Sequence, residues 1–385
     1  MSPIPRPLGT LVAASSVIAA ALVLAAPAAA LDFAPASNYP TGGMGVSPHE
    51  TSTATADFDR DGDADVAIAD GYGGPGVRVL LNNGGGGFPG PAKVVNLGFA
   101  YGTVLAGEVT GDQNPDLVAT NFAQVKVLRG NGNGTFAQIG TYDVPQGGQE
   151  DAELCDFTGD GTIDIAVLTR YGVQLLRGTG GGAFTNGPTS YVGTPFMSGI
   201  DDAKLNGDEA IDLVAADAGA QQVYRLVNDG SGRFTKQGSG TTALAPGTAL
   251  AGDLNEDGID DAVALNEFNV PGTSMAVLIS NASGGFAPAT YIDGGYNPVS
   301  GEIGDLDGDG HLDIVSSDTT GSREVIQLGN GAGGFSAGGG FGVAFSPQTP
   351  VIADFDGNGS KDIAVTGLNA QGFGSQLLSV LLNAG

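Results

Sequence analysis

Nine-residue segments rich in aspartate recur seven times along this chain, starting at Asp57, Glu108, Asp156, Lys204, Asp253, Asp305 and Asp354. Successive starts lie 51, 48, 48, 49, 52 and 49 residues apart. So fixed a period marks a repeat architecture, in which each unit buries its apolar face only against its neighbours. The fullest copies read Asp57-Phe-Asp59-Arg-Asp61-Gly-Asp63-Ala-Asp65 and Asp305-Leu-Asp307-Gly-Asp309-Gly-His311-Leu-Asp313. Oxygen donors at positions one, three, five and nine of a glycine-containing turn can converge on one hard cation.

Between the loops the chain reads as short strands. In the first repeat, Thr51 to Asp57 enters the loop, Asp65 to Asp70 and Val77 to Asn82 follow with β-branched alternation, and Ala92 to Leu97 completes the unit. A glycine turn ending in Phe88 joins the last two, and its counterparts end in Phe136, Phe184, Phe234, Phe286 and Phe335. Short β-rich runs bounded by Gly, Asn and Asp, with no helical period between them, predict four-stranded antiparallel units. The 67 glycines fall at these turns, where positive φ is needed, and the Val-Leu-Ile runs between them argue against a disordered chain.

The two ends complement each other. The seventh repeat stops at Leu377-Leu-Ser-Val-Leu-Leu-Asn-Ala-Gly385, where other repeats continue into a fourth strand. The segment Phe33-Ala-Pro-Ala-Ser-Asn-Tyr39 matches Phe286-Ala-Pro-Ala-Thr-Tyr291, which follows an internal turn. The start of the chain is therefore expected to supply the outer strand of the last unit and so remove an open sheet edge. The fold expected is all-β, a seven-bladed β-propeller over residues 31–385 closed by pairing of the N-terminal strand with the C-terminal blade.

Residues 1–30 read as an export signal: Arg6 gives the positive start, Leu8 to Ala26 an apolar run, and Ala28-Ala29-Ala30 a cleavage site. The expectation is a secreted, monomeric protein, with an uncleaved N-terminal anchor as the alternative. The single Cys155 excludes an intrachain disulfide, and its place in a column of Ala and Gly suggests a buried structural thiol. Net charge is −28, and 26 of the 42 acidic residues lie inside the seven windows, where cations could neutralise them. With no basic stripe, nucleic acid and anionic membrane are poor partners.

Calcium suits such loops better than magnesium or zinc, because it takes six to eight oxygens in irregular geometry. Four copies carry the strongest ligand sets: Asp57, Asp59, Asp61 and Asp65; Asp253, Asn255, Asp257 and Asp261; Asp305, Asp307, Asp309 and Asp313; Asp354, Asp356, Asn358 and Asp362. Asp156, Thr158, Asp160 and Asp164 are intermediate, since a hydroxyl replaces one carboxylate. In Glu108, Thr110, Asp112 and Asp116 the longer glutamate and Pro115 count against the site. Lys204, with Asn206, Asp208 and Asp212, breaks the pattern; its ammonium is expected to form an internal salt bridge that leaves this loop metal-free. Four to six Ca²⁺ ions are thus expected. The competing reading is that these are Asx turns capping strand ends without metal.

These residues resemble the FG-GAP/VCBS repeat family, whose best-known members form the head of integrin α subunits. The matching elements are the Asp-x-Asp-x-Asp-Gly-x-x-Asp loop, the strand after it (Asp164-Ile-Ala-Val167, Asp362-Ile-Ala-Val365) and the Gly-x-Phe turn. The resemblance covers about residues 33–385. It implies a seven-bladed propeller with calcium in the loops joining first and second strands; repeats two and four depart from the motif.

In an antiparallel blade the second-to-third and blade-to-blade connections share the face opposite the acidic loops. They vary in length and carry Tyr72, Phe99, Tyr101, Phe122, Tyr171, Phe196, Phe268, Tyr296, Phe345 and Phe373. Variable loops on a rigid scaffold are where binding usually lies. A ligand-binding or adhesion module for glycan or protein is the leading reading, against aromatics that merely fill blade junctions. The alternatives are a polysaccharide lyase or hydrolase, for which Asp70, Glu150, Asp151, Asp201, Asp202, Asp217, Glu267 and Asp318 supply carboxylates, and a purely structural surface protein.

Overall fold

The computed structural model describes residues 31–43, 52–71, 74–98, 102–144, 148–266, 272–281, 283–369 and 375–385. The export signal, His49, Tyr72, Phe99, Tyr101, Glu267, Phe268 and Phe373 lie outside the described residues, as does the side chain of Glu150. Within them the chain forms seven four-stranded antiparallel sheets and no helix. Blade one comprises Thr53–Ala56, Asp65–Ala69, Gly76–Leu80 and Lys93–Asn96, within two or three residues of the strands read from sequence.

Each innermost strand packs against the next around a ring, and Pro350–Ala353 of blade seven meets Thr53–Ala56 of blade one. The protein is a seven-bladed β-propeller. Closure follows the complementarity of the ends: Ser37–Pro40 pairs antiparallel with Gln376–Leu381, with Asn38 opposite Ser379 and Tyr39 opposite Leu378. The Phe33–Asn383 bridge repeats the Ser280–Phe286 bridge of blade five, so the sequence match between the two segments is a structural equivalence.

The core is divided among the junctions. Seven apolar clusters form, one between each pair of adjacent blades; Phe58, Ala67 and Val79 of blade one meet Leu117, Ala119 and Leu128 of blade two, for example. Second strands are sandwiched on both faces, which explains why Asp65–Ala69 and Asp261–Asn266 are buried throughout and read as continuous rather than alternating apolar runs. Outer strands such as Phe136–Asp143 alternate between half-buried and exposed.

The acidic loops take part in this packing through their second residue. Phe58 stacks edge-on against Phe136 of the next blade at 5.5 Å, Phe157 against Phe234 at 5.5 Å, and Phe355 against Phe88 at 6.0 Å. The Phe of each Gly-x-Phe turn is thus the partner of the preceding blade's loop, which gives both recurring motifs one physical reason.

Candidate functional site

Every acidic loop joins a first strand to a second strand, so all seven emerge on one face of the disc. Each is folded by its own carboxylates. The first-position carboxylate of loop one accepts the amides of Asp61 and Gly62, both at 3.1 Å. Asp156, Asp253 and Asp354 accept the equivalent amides, Asp305 those of Gly308 and Gly310, and Glu108 those of Thr110 and Gly111, nearer the start of its loop. The fifth residue in turn accepts the amide of the seventh, as in Asp63 to Asp61 and His311 to Asp309. Position six of loop one, Gly62, has φ 102°, a conformation that excludes most side chains. Gln113 occupies that place in loop two at φ 69°.

Position nine is a clamp. The carboxylate of Asp65 accepts the amide of Phe58 at 2.9 Å with one oxygen and that of Asn82, at the end of the third strand, at 2.8 Å with the other. Asp116, Asp212, Asp261, Asp313 and Asp362 repeat this arrangement, and Asp164 does so with the amide of Thr158 in place of that of Phe157. All seven are buried. Burial pushes the Asp65 carboxyl up to about 7 and those of Asp212, Asp261 and Asp313 to about 6, against the amides that pull them down.

The loops also bring carboxylate oxygens close together. Carboxylate oxygens of Asp57, Asp59 and Asp61 lie within 4.8 Å of one another, as do those of Asp305, Asp307 and Asp313, of Asp354, Asp356 and Asp362, and of Glu108, Asp112 and Asp116. In loop one, Asp59 Oδ1 is buried and receives no hydrogen bond. Desolvation, followed by the charges of Asp61 and Asp57, raises the Asp59 pKa. Three acidic groups at this spacing, one with an orphaned oxygen, fit a hard cation with oxygen ligands. Because each carboxylate oxygen has two lone pairs, accepting an amide and ligating an ion are compatible; the Asx-turn and metal readings describe the same loop.

The opposite face differs in kind. All five described aromatics among those singled out from sequence are exposed: Phe122 51%, Tyr171 41%, Phe196 59%, Tyr296 48% and Phe345 48%. None of these five plugs a junction. Three of the carboxylates considered for catalysis are held internally: Asp70 by Arg78, Asp318 by Arg323, and Asp217 by Thr194 and the Tyr224 hydroxyl.

Along the ring axis runs a cavity of about 780 Å³ lined by the innermost strands of all seven blades, with Phe122 also on its wall. Among the described residues, Asp151, Glu153, Asp201 and Glu302 are its acidic residues, and no Lys or Arg lines it. Three of them tie neighbouring blades: the amides of Ile200, Ala251 and Ile352 donate to Asp151, Asp201 and Glu302 at 2.8, 2.7 and 3.1 Å. These groups are half-buried, open to the channel on one side and enclosed by the blades on the others. That enclosure raises all four pKa values, Glu302 to about 8, and mutual repulsion adds to the rise at Glu153 and Asp201.

The family model of the FG-GAP-like repeat matches residues 57–118, 204–264 and 305–365, each running from an acidic loop through the next blade's first strands. The chain is a β-propeller of FG-GAP repeats. Among solved structures it is similar to an Agrocybe aegerita lectin that recognises non-reducing terminal N-acetylglucosamine, at 21% identity and TM-score 0.54 over 81% of this chain and 91% of that one. It is also similar to BBS1N, solved in complex with ARL6DN, at 10% identity and TM-score 0.61 over 93% and 98%. Such identities speak for the fold alone. A search of curated proteins finds no match.

The FG-GAP loops depart from the sequence reading at several points. Lys204 is exposed and forms no ion pair within 4.0 Å among the described residues, so the expected internal salt bridge is not made. Its backbone instead joins Asp260 of the next blade, the Lys204 amide donating to Oδ2 at 2.7 Å and the Lys204 carbonyl accepting the Asp260 amide at 2.9 Å. Loop two, discounted for Glu108, brings three acidic groups together, because the longer side chain folds back onto the amides of Thr110 and Gly111. Among the described residues, loops three and five do not gather three carboxylates; there Thr158 and Asn255 hold the third position. Cys155 is half-buried, and burial with the nearby Asp202 raises its thiol pKa, which opposes nucleophilic use. The channel carboxylates Glu153 and Glu302 were missed; acids three residues ahead of a loop start were the available signal.

Proposed function

We propose that this protein is a secreted propeller, stabilised by calcium on one face, that binds a glycan or protein ligand through the other. The observation that carries the binding reading is the set of five exposed aromatics on loops that the junctions do not use. Tyr and Phe on rigid loops supply contact area at small entropic cost. The ligands assigned to calcium are Asp57, Asp59 and Asp61; Asp305, Asp307 and Asp313; Asp354, Asp356 and Asp362, with the other loops as weaker sites. Bound Ca²⁺ would neutralise clustered carboxylates there; Asp65 and its equivalents hold the loop to its own blade. Export is proposed from residues 1–30 and fits calcium sites of extracellular affinity, with dissociation constants on the order of 0.1–1 mM.

The test is a glycan array and a panel of extracellular proteins probed with the native protein and with Phe196→Ala/Tyr296→Ala. A saturable ligand lost in the double variant supports the reading; binding that survives it places recognition elsewhere. One observation favours a second reading, hydrolysis of a polysaccharide: Glu153 and Asp201 of the channel wall and the exposed Asp202 present oxygens within 4.8 Å of one another, and raised carboxyl pKa values suit a general acid. Turnover of polysaccharide substrates, abolished by Glu153→Gln, would decide for it.

A further inference from the structure

In each blade one third-strand residue faces the second strand two places after the clamp aspartate. It is Val79, Val127, Leu175, Val277, Ile326 or Val380 in six blades, all fully buried. In blade four it is Arg225, opposite Val214 and 2% exposed. Burying a guanidinium in an aliphatic column is costly unless its donors are used. Blade four is also the one whose loop has Lys204 in place of the first acid.

The contacts of Arg225 connect the two anomalies. At every junction the carbonyl of the loop's second residue receives a donor. At six of them it comes from the following blade: the amides of Gly134, Gly182, Gly333 and Gly86 for Phe58, Val109, Leu254 and Phe355, and the side chains of Asn228 and Asn383 for Phe157 and Leu306. At the junction of blades four and five the corresponding amide, Gly284, bonds Asn281 within its own turn. Leu205, the second residue of loop four, instead accepts from Arg225 Nη2, while Nη1 donates to Gly285 of blade five at 3.0 Å. The guanidinium also lies over the Phe286 ring at 5.7 Å. Desolvation lowers the pKa of Arg225, and the clamp carboxylates Asp212 and Asp261, on either side of the junction, oppose that shift.

Loop four does not fit a divalent ion, since a lysine stands at the first ligand position and its carboxylates form no three-membered group among the described residues. We propose that Arg225 is a resident cation that holds loop four and locks blade four to blade five, making this junction independent of divalent ions. The reading rests on calcium in the other loops only for the contrast it predicts.

Hydrogen exchange of the full chain, followed by mass spectrometry with 5 mM Ca²⁺ or with chelator, tests it. In the native protein, chelation should speed exchange in segments 57–65, 305–313 and 354–362 and leave 204–212 unchanged. Arg225→Met should speed exchange in 204–212 and 281–286 by about tenfold or more in both conditions. If Arg225→Met does not fold, Arg225→Lys, whose single ammonium cannot bridge both carbonyls, should speed exchange there by about fivefold while distant blades stay unchanged. A segment 204–212 that follows chelation like the others, or that is unmoved by these variants, overturns the proposal. If no loop responds to chelation, the calcium reading fails and the Arg225 variants still decide this one.

Discussion

Glu302 offers the sharpest quantitative test of the axial channel. Its carboxyl is raised from an ordinary 4.5 to about 8 by enclosure, and one oxygen accepts the Ile352 amide of the next blade. A folded-state pKa above the unfolded one means the native protein holds the proton more tightly, so this contribution to stability is complete below about pH 4.5 and is lost as pH rises toward 8. At about 1.4 kcal/mol per unit the full shift corresponds to about 5 kcal/mol. Because the side chain is partly open to the channel, solvent screening reduces this, and about 2 kcal/mol is the expected effect. Glu302→Gln keeps an oxygen to accept the Ile352 amide and removes the titration. Urea unfolding of both proteins at several pH values between about 4.5 and 8, under identical calcium, cancels every other titrating group in the difference. The variant should be nearly equal to or slightly less stable than the native protein at the acid end and gain on it steadily toward pH 8. A difference that does not change with pH would show that Glu302 titrates as in water and that the channel does not desolvate it.

Other outcomes follow from the loops and the closure. Asp362→Ala removes both acceptors from the Phe355 and Asn383 amides and should cost about 3 kcal/mol in urea midpoint analysis. Chelation should lower the melting temperature, since 5 mM Ca²⁺ at the affinities expected contributes about 1–2 kcal/mol per occupied loop; melting curves identical with and without chelator would refute calcium as the ion. Deleting residues 31–43 leaves Gln376–Leu381 as an open edge, and size-exclusion chromatography should show association or aggregation where the native chain runs as one species.

Much of the fold was legible because it is local and repeated. Strands such as Asp65–Ala69 follow from β-branched runs between glycine turns, and ring closure from the likeness of Phe33–Tyr39 to Phe286–Tyr291. The missed features depend on what one blade presents to another. From sequence, position nine reads as a ligand alone, since nothing local shows that Asp65 also receives the amide of Asn82, seventeen residues away. Sequence proximity pairs Lys204 with its own loop, whereas the cation that reaches loop four is Arg225, from a strand whose partner is known only once the register is known. Glu302 falls in an innermost strand, and only the closed ring makes its surroundings a channel.

The two faces of the disc bear different constraints, and one pair of substitutions can separate them. On the acidic face the loops are woven into the junctions, so Phe157, 1% exposed and edge-on to Phe234, should cost about 3–5 kcal/mol when replaced by Ala, the range for a large buried aromatic. On the opposite face Phe196 is 59% exposed, and its replacement by Ala should change stability by no more than about 0.5 kcal/mol. A residue that contributes little to folding and yet keeps a large apolar surface in water is better explained by something it binds than by something it packs. Phe196→Ala should therefore weaken ligand binding at unchanged melting temperature, while Phe157→Ala should lower the melting temperature and leave affinity intact wherever the protein remains folded. If Phe196→Ala instead destabilises the protein by as much as Phe157→Ala, the aromatic belongs to the scaffold, and the argument that this face is free for recognition loses its basis.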